Sequence, residues 1–577
     1  MFVLGKRQDV LLVFLLAIAV FCLHAALAHA EIPLDARIVP LGVPGTAYEG
    51  LQPGIGGGTL RLCTSENPTT WNDTLVKTTA TSKFTNLMFD GLIEQDPITG
   101  VLSPKLAVSW EIADTVLIFH LREGVCWSDG TPFTADDVLF AYEEMHHMDE
   151  AVIAKPDDYT ITATYPMLVS YSMLRAFLAN IMPKHILLPF VQDGSLNDAW
   201  GLATNPAELV GIGPFIVASY EPDVQVTMRR NPYYYEYDRC GVQLPYFDTL
   251  VFAIAPDASE KLLSGEIDAT GLTEMNIKAF ESAPGITLIL GDTVPGTTFT
   301  SLNLDAEDEQ LRGLFRQVEF RRAVAHAMDK RRMLEEAQGG YGEAQWSFVN
   351  VQSPYYAGRE TYGGTITETC AVTYDYDLAV AGRLLDQCGI ADIGEDGIRQ
   401  FADGTPVSFS LQTNEGNERR AMLARILVQD LRMLGLDVKV ELISFSELVG
   451  SLMGRNSWDA IILGLSGSEH PSSAESSYRT TGRMHFWHVS AARGDTFPHE
   501  RRIDELLDLG RLAAGPEKEF ECYSEMQILQ ATDDLGLIFM VRPIFAYAIG
   551  DDIGNKEIIS SRAVACSIPQ VLYRTEP

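Results

Sequence analysis

Between Asn417 and Leu442 the apolar period changes once, and that change limits what the chain can become. Met422, Leu423, Ile426, Leu427, Leu431 and Leu434 recur at helical spacing, Gly435 offers a left-handed stop, and Val438, Val440 and Leu442 then alternate as in a strand. A helix feeding a strand is the building unit of an α/β layer. Asp377 to Gly389, with Leu378, Ala381, Leu384 and Leu385 on one side, predicts a second such helix. Phe320 to Ala337 predicts a third, with Arg and Lys on its outer face. Helices are also expected over Ile503 to Leu512 and Glu519 to Leu529, and a closing strand over Ile538 to Ala548. No repeat of 20 to 50 residues is visible, which removes solenoids and propellers. The predicted fold class is α/β.

A second stretch, Leu117 to Tyr142, joins a strand, a turn and a capped helix. Phe119 and Leu121 alternate with His120 and Arg122, and Asp129-Gly130 supplies turn residues. Thr134 then reads as an N-cap. Asp137, three residues on, gives a capping-box pattern, and Val138, Leu139, Tyr142 and Met145 form the inward stripe.

With 577 residues and 46% hydrophobic content, the chain can bury a large core and calls for more than one lobe. Lys6 and Arg7 precede an apolar run from Val10 to Ala28, and Ala28-His29-Ala30 fits the small-x-small rule for cleavage. A signal peptide over 1–30 is therefore expected, with an uncleaved membrane anchor as the alternative. Phe21 before Cys22 departs from a lipobox, which needs a small residue there. The net charge of −35 repels nucleic acid and anionic lipid. Seven cysteines follow residue 30 without C-x-x-C spacing, which argues against zinc or redox motifs; Cys370 and Cys388, flanking one predicted helix, are the expected disulfide pair.

Candidates for covalent chemistry are weak. Gly464-Leu465-Ser466-Gly467 follows the strand-like Ala460 to Leu463, but is one residue short of a nucleophile elbow and no helix follows. Gly56-Gly57-Gly58 lacks phosphate-loop spacing and precedes a strand, Thr59 to Cys63. His470, His485 and His488 with Glu469 have ligand types suited to a transition metal, although loop histidines more commonly face solvent or hydrogen-bond. Asn414, Glu415 and Asn417 lie between a strand and the long helix, where they could hold a carboxylate or carbonyl; Asn417 also reads as that helix's N-cap. No catalytic residue and no cofactor is expected.

The string F-x-L-R-x-x-V-x-W-S-D-G-x-P-x-T-A-D-D-V, from Phe119 to Val138, resembles the signature of the family 5 extracellular solute-binding proteins, receptors that deliver peptides or nickel chelates to ABC importers. The resemblance continues through Asp90-Gly91-Leu92, Pro104 to Glu111, Pro156 to Thr160, Gly211 to Phe215 and Arg229 to Tyr234, and covers about residues 59 to 550. It implies a two-lobe periplasmic-binding-protein-like fold of the Venus-flytrap type with an extra subdomain. The expected organisation is a signal at 1–30, a linker at 31–58, lobe one at 59–75, the subdomain at 76–207, lobe one again at 208–300, lobe two at 301–534 and a return to lobe one at 535–577.

The same resemblance implies site residues. Peptide-binding relatives use a Glu in the loop after the first strand, and Glu66 holds the matching place, with Trp71 near enough to stack. Their Asp after a Gly-Trp pair, which binds a peptide ammonium, has no counterpart; Leu465 stands for the Trp, and Glu469 is the remaining candidate. Gly482 to Trp487 resembles a G-x-x-H-x-W variant, placing His485 and Trp487 at the cleft. Phe486 and Trp487 are expected on a strand, with only one pointing inward. The function implied is the binding component of an ABC importer for a peptide-like or other polar organic solute. Its expected partners are that ligand and a membrane permease, with no nucleic acid, and it is expected to act as an exported or periplasmic monomer. A metal-chelate binder and a sensory ectodomain are the alternatives.

Overall fold

A computed structural model of the protein describes residues 51–575, apart from 76–78, 96–100, 147, 149, 170, 256–257, 275, 294–295, 368–371, 453–456, 466–469, 514 and 561–563. The first strand, Thr59–Thr64, alternates half-buried and buried side chains. It pairs in parallel with Thr249–Ile254, which continues antiparallel to Gln225–Arg230 and then Phe215–Glu221. Beside this sheet stands a second four-stranded one, antiparallel throughout, ordered Ala107–Ala113, Val116–Leu121, Thr160–Thr164 and Val152–Asp157. The two share one apolar core, in which Leu60 and Trp71 belong to the same cluster as Phe119 and Tyr142.

The capped helix follows the antiparallel sheet as its sequence requires. Thr134 Oγ1 accepts from the Asp136 amide at 3.3 Å, Asp137 Oδ2 accepts from the Thr134 amide at 3.1 Å, and the helix Ala135–Phe140 begins there. Asp137 also accepts from the Lys184 amide at 3.2 Å, which ties this helix to Lys184–Gln192.

A second core gathers around a five-stranded sheet ordered Asp437–Ile443, Ser408–Asn414, Ala460–Leu465, Thr297–Leu302 and Ile538–Phe539. Its first three strands are parallel and its last two antiparallel to their neighbours. The long helix Glu418–Met433 connects two parallel strands, with Asn417 capping it by accepting from the Arg420 amide at 3.0 Å. Gly435 closes it at φ +84°, as a left-handed stop requires.

Three expectations are corrected here. Phe320 to Ala337 is two helices, Val318–His326 and Lys330–Gln338, because Asp329 caps a new start by accepting from the Arg332 amide at 2.9 Å. Arg321 and Lys330 on them are buried, each satisfied by backbone carbonyls. Ile538 to Ala548 is likewise two strands: Ile538–Phe539 ends the second sheet, whereas Val541–Gly550 pairs with Gly342–Ala344 at one end and with Ala269–Gly271 and Ile286–Thr293 at the other. Finally, Phe486 and Trp487 lie on a 3-10 helix, Phe486–Arg493, and both are buried, so strand alternation does not apply. Of the expected disulfide pair, Cys370 is outside the described residues and Cys388 is a free thiol donating to the Leu384 carbonyl at 3.2 Å.

Candidate functional site

Where Thr59–Thr64 ends, the chain meets Ala269–Gly271 and the long strand Val541–Gly550, and a cavity of about 560 Å³ opens between them. That volume suits a small organic ligand. Thr64, Ser65, Thr270 and Asn276 give it hydroxyl and amide groups, and Lys83, from the helix Thr79–Met88, is the charged residue among those lining it. Phe545 and Tyr547, both largely buried, also line it, their stacked rings 5.8 Å apart and inclined by 12°.

Glu66 follows the lining Ser65 and is exposed. Its loop is fastened by Asn67, whose Oδ1 accepts from the Tyr220 hydroxyl and the Asp223 amide, both at 2.9 Å. Trp71 is placed elsewhere. It is 1% exposed, packed edge-on against Phe84 and Tyr220, so its indole face belongs to the first core and is closed to a ligand in this conformation.

The start of the long helix Glu418–Met433 carries Arg419 and Arg420. Asn414, at the end of its strand, accepts from Arg420 Nη1 at 2.9 Å. The guanidinium lies over Gly464, where a Cβ would stand 2.7 Å from Arg420 Nη2 and 2.8 Å from the Thr297 carbonyl oxygen. Arg420 Nε and Arg419 Nη1 are buried without a hydrogen-bond partner, as is Thr297 Oγ1. Burial, and then the neighbouring Arg419, pull the Arg420 guanidinium below its usual range. Arg419 Nη1 does approach Glu274 Oε1 at 3.7 Å, and Glu274 lies between the lining residues Thr273 and Asn276. Arg419 thus reaches, through Glu274, a segment that lines the cavity, and beside it Arg420 keeps an unused donor; two adjacent guanidinium groups of this kind suit a carboxylate or another compact anion.

His485 and Trp487 lie inside the second core, 3% and 0% exposed, with ring centroids 4.3 Å apart. The Trp487 indole is seated so closely on Gly536 that a Cβ there would fall 2.2 Å from its Nε1. Neither faces a ligand in this conformation. His488 is also buried, with Nδ1 2.7 Å from Glu500 Oε1. His470 is apart from both, bonded to Glu519 and ringed by Tyr355 and Tyr523. Glu469 lies outside the described residues. Of the sequence-predicted set, Glu66 is exposed on the loop after the lining Ser65, and Asn414 holds Arg420.

The reading from sequence missed Lys83, Arg419, Arg420, Phe545 and Tyr547. One signal for the arginines was present. Two cations in the first turn of a helix oppose its dipole, and such a local conflict marks a place where function outweighs stability.

The chain matches the family model described as bacterial extracellular solute-binding proteins, family 5 Middle, over residues 101–484. It is 28% identical over 415 residues to the Deinococcus radiodurans protein named "Probable ABC transporter-binding protein", covering 65% of this chain and 68% of that one. To the periplasmic alpha-galactoside-binding protein of Rhizobium meliloti it is 26% identical over 547 residues, 84% of this chain and 76% of the relative. To the oligopeptide-binding protein AppA of Bacillus subtilis it is 25% identical over 465 residues, with 75% and 79% covered. Among solved structures, NikA from Brucella suis in complex with Fe(III)-EDTA superposes with a TM-score of 0.73 at 18% identity, over 90% of this chain and 100% of that chain. Bacillus subtilis AppA in complex with a nonapeptide gives 0.66 at 20% identity, over 91% and 100%. These likenesses establish a two-lobe fold.

Proposed function

Because the chain belongs to the bacterial extracellular solute-binding proteins of family 5, we propose that it captures a polar organic solute with an anionic end, such as a peptide, between its lobes for an ABC importer. The observation that carries this reading is the Arg419–Arg420 pair, with Arg419 Nη1 and Arg420 Nε buried without hydrogen-bond partners and Arg419 3.7 Å from Glu274, which lies between cavity-lining Thr273 and Asn276, in a protein of net charge −35. In this reading the arginines hold the carboxylate, Asn414 orients Arg420, and Glu66 receives a cationic group. Closure of the lobes over the solute is the signal for the permease. Export by the 1–30 segment, action as a monomer and the lobe boundaries given above belong to the same proposal. Among the described residues no helix is long and apolar enough to cross a membrane.

An oligosaccharide is the second reading, favoured by the stacked Phe545–Tyr547 wall and by the alpha-galactoside-binding relative, which aligns over 84% of the chain. A flat aromatic face suits a pyranose ring.

Native mass spectrometry of the protein purified without refolding, followed by thermal shifts with peptides, oligosaccharides and nickel chelates, separates the readings. A peptide-sized adduct lost in an Arg420→Ala variant supports the first. A stabilising oligosaccharide whose effect survives that variant supports the second. No adduct and no shift with any of the three classes would sink both.

A further inference from the structure

The cavity at the end of Thr59–Thr64 has a charge opposite in sign to that of the chain. The sequence carries 78 Asp and Glu against 43 Lys and Arg, yet among the described residues that line the cavity there is no carboxylate, and Lys83 is the one cation. Acidic residues of the neighbouring segment are engaged elsewhere. Glu274 is 3.7 Å from Arg419, and Glu266 accepts from Lys261 Nζ at 2.8 Å.

Lys83 is left over by this arrangement. It lies within the helix Thr79–Met88, and among the described residues its ammonium has no hydrogen bond and no ion pair. The ionisable groups of the cavity do not neutralise it either. Cys63 and Cys566 both line the cavity and both feel the Lys83 charge, but burial pushes each thiol up against that pull. Burial likewise holds the Tyr547 hydroxyl well above its ordinary range. Thiols and phenols of this kind are uncharged at neutral pH. The cavity therefore carries one uncompensated positive charge.

Hydroxyl donors accompany it. The side chains of Ser65 and Thr273, which also line the cavity, make no hydrogen bond among the described residues, so each O–H is available to an acceptor. An ammonium in a walled cavity is screened less than one on an open surface and holds an anion more firmly.

We propose that Lys83 makes this cavity a carboxylate subsite and thereby selects the solute. The inference rests on the solute-binding reading above and narrows it: besides the end held by Arg419 and Arg420, the solute carries a second anionic group, as an acidic peptide does.

The test uses the full protein, freed of copurified solute by reversible unfolding, and two thiol reagents of nearly equal size, iodoacetate and iodoacetamide. The first is a carboxylate and the second its neutral counterpart, so the ratio of their rates at Cys63 and Cys566, read by peptide mass spectrometry, reports how the cavity treats that charge. Changes in the reactivity of the thiols themselves cancel in the ratio. Lys83→Met is expected to lower the iodoacetate-to-iodoacetamide ratio about tenfold at both cysteines and Lys83→Arg to keep it. Neither should alter the ratio at Cys240, which is exposed and does not line the cavity. A ratio that Lys83→Met leaves unchanged at Cys63 and Cys566 overturns the subsite.

Titration with the tripeptides Ala-Asp-Ala and Ala-Asn-Ala then checks the solute class. The expected result is a preference of about tenfold or more for the Asp peptide, lost in Lys83→Met and kept in Arg420→Ala, which weakens both peptides alike. Equal affinity of the wild type for the two peptides would overturn the second anionic group. If neither peptide binds, the peptide reading of the function fails, while the alkylation ratio still decides for or against Lys83.

Discussion

Arg419 Nη1 of the second lobe stands 3.7 Å from Glu274 Oε1 of the first, a contact between groups 28% and 17% exposed. A half-exposed pair of this kind is worth about 0.2–1 kcal/mol. Glu274→Gln is therefore expected to change the affinity for an anionic solute by less than about fivefold. If Arg419 holds the solute carboxylate as proposed, Arg419→Ala removes a charge-assisted bond worth about 1.5–3 kcal/mol and should weaken binding tenfold or more. Calorimetric titration of both variants checks this, and a larger effect from Glu274→Gln than from Arg419→Ala would reverse the assignment.

Gly464 is the floor on which Arg420 rests. A methyl group there meets Arg420 Nη2, which can move, and the Thr297 carbonyl oxygen, which is held in a strand pair. Gly464→Ala is expected to cost about 1–3 kcal/mol of stability and to displace the guanidinium. Adding Arg420→Ala should return part of the stability but none of the binding, measured by denaturation and titration of the double variant.

The capping box at Thr134 offers a test of the antiparallel sheet Ala107–Ala113 to Val152–Asp157 and its helix. Thr134→Ala leaves the Asp136 amide without its acceptor and should cost about 1 kcal/mol, visible as a lower denaturant midpoint at unchanged slope. Asp137→Ala should cost more, because the Thr134 and Lys184 amides both lose an acceptor.

Asp90 gives a pH dependence with a definite sign. Burial pushes its carboxyl up from 3.8 to about 6, against the pull of Lys105, while Tyr235 donates to it at 2.9 Å. The folded protein thus keeps a proton that the unfolded chain releases. The associated stability is full below about pH 4 and is lost as pH rises through about 6. Asp90→Asn should remove this part of the slope, about 3 kcal/mol across the window, as read from urea titrations at pH 4 and pH 7. An unchanged difference between the two pH values would contradict the shift.

The α/β lobes were legible because periodicity and caps are local. Thr134, Asp377 and Asn417 each cap a helix from a position visible in the sequence. The break at Asp329 was hidden by an apolar period that runs on in phase, and the burial of Arg321 and Lys330 by the rule that cations face water. Glu66 and Asn414 do lie at the strand ends where the sequence puts them, Glu66 just after Thr59–Thr64 and Asn414 closing Ser408–Asn414. His485, Trp487 and Trp71 could not be placed in this way, since whether an aromatic lines a cleft or fills a core depends on neighbours far along the chain, such as Gly536 for Trp487 and Tyr220 for Trp71.

The strand Val541–Gly550 and the tail behind it also set an order of events during synthesis. Ala269–Gly271 and Ile286–Thr293 both pair with that strand, and Arg574 reaches back to Asp268, which itself accepts from the Arg61 amide at 2.7 Å. The five-stranded sheet, whose last strand ends at Phe539, can be assembled while these partners are still being made. The lobe begun first is therefore finished after the second sheet, once Val541–Gly550 and Arg574 have been made.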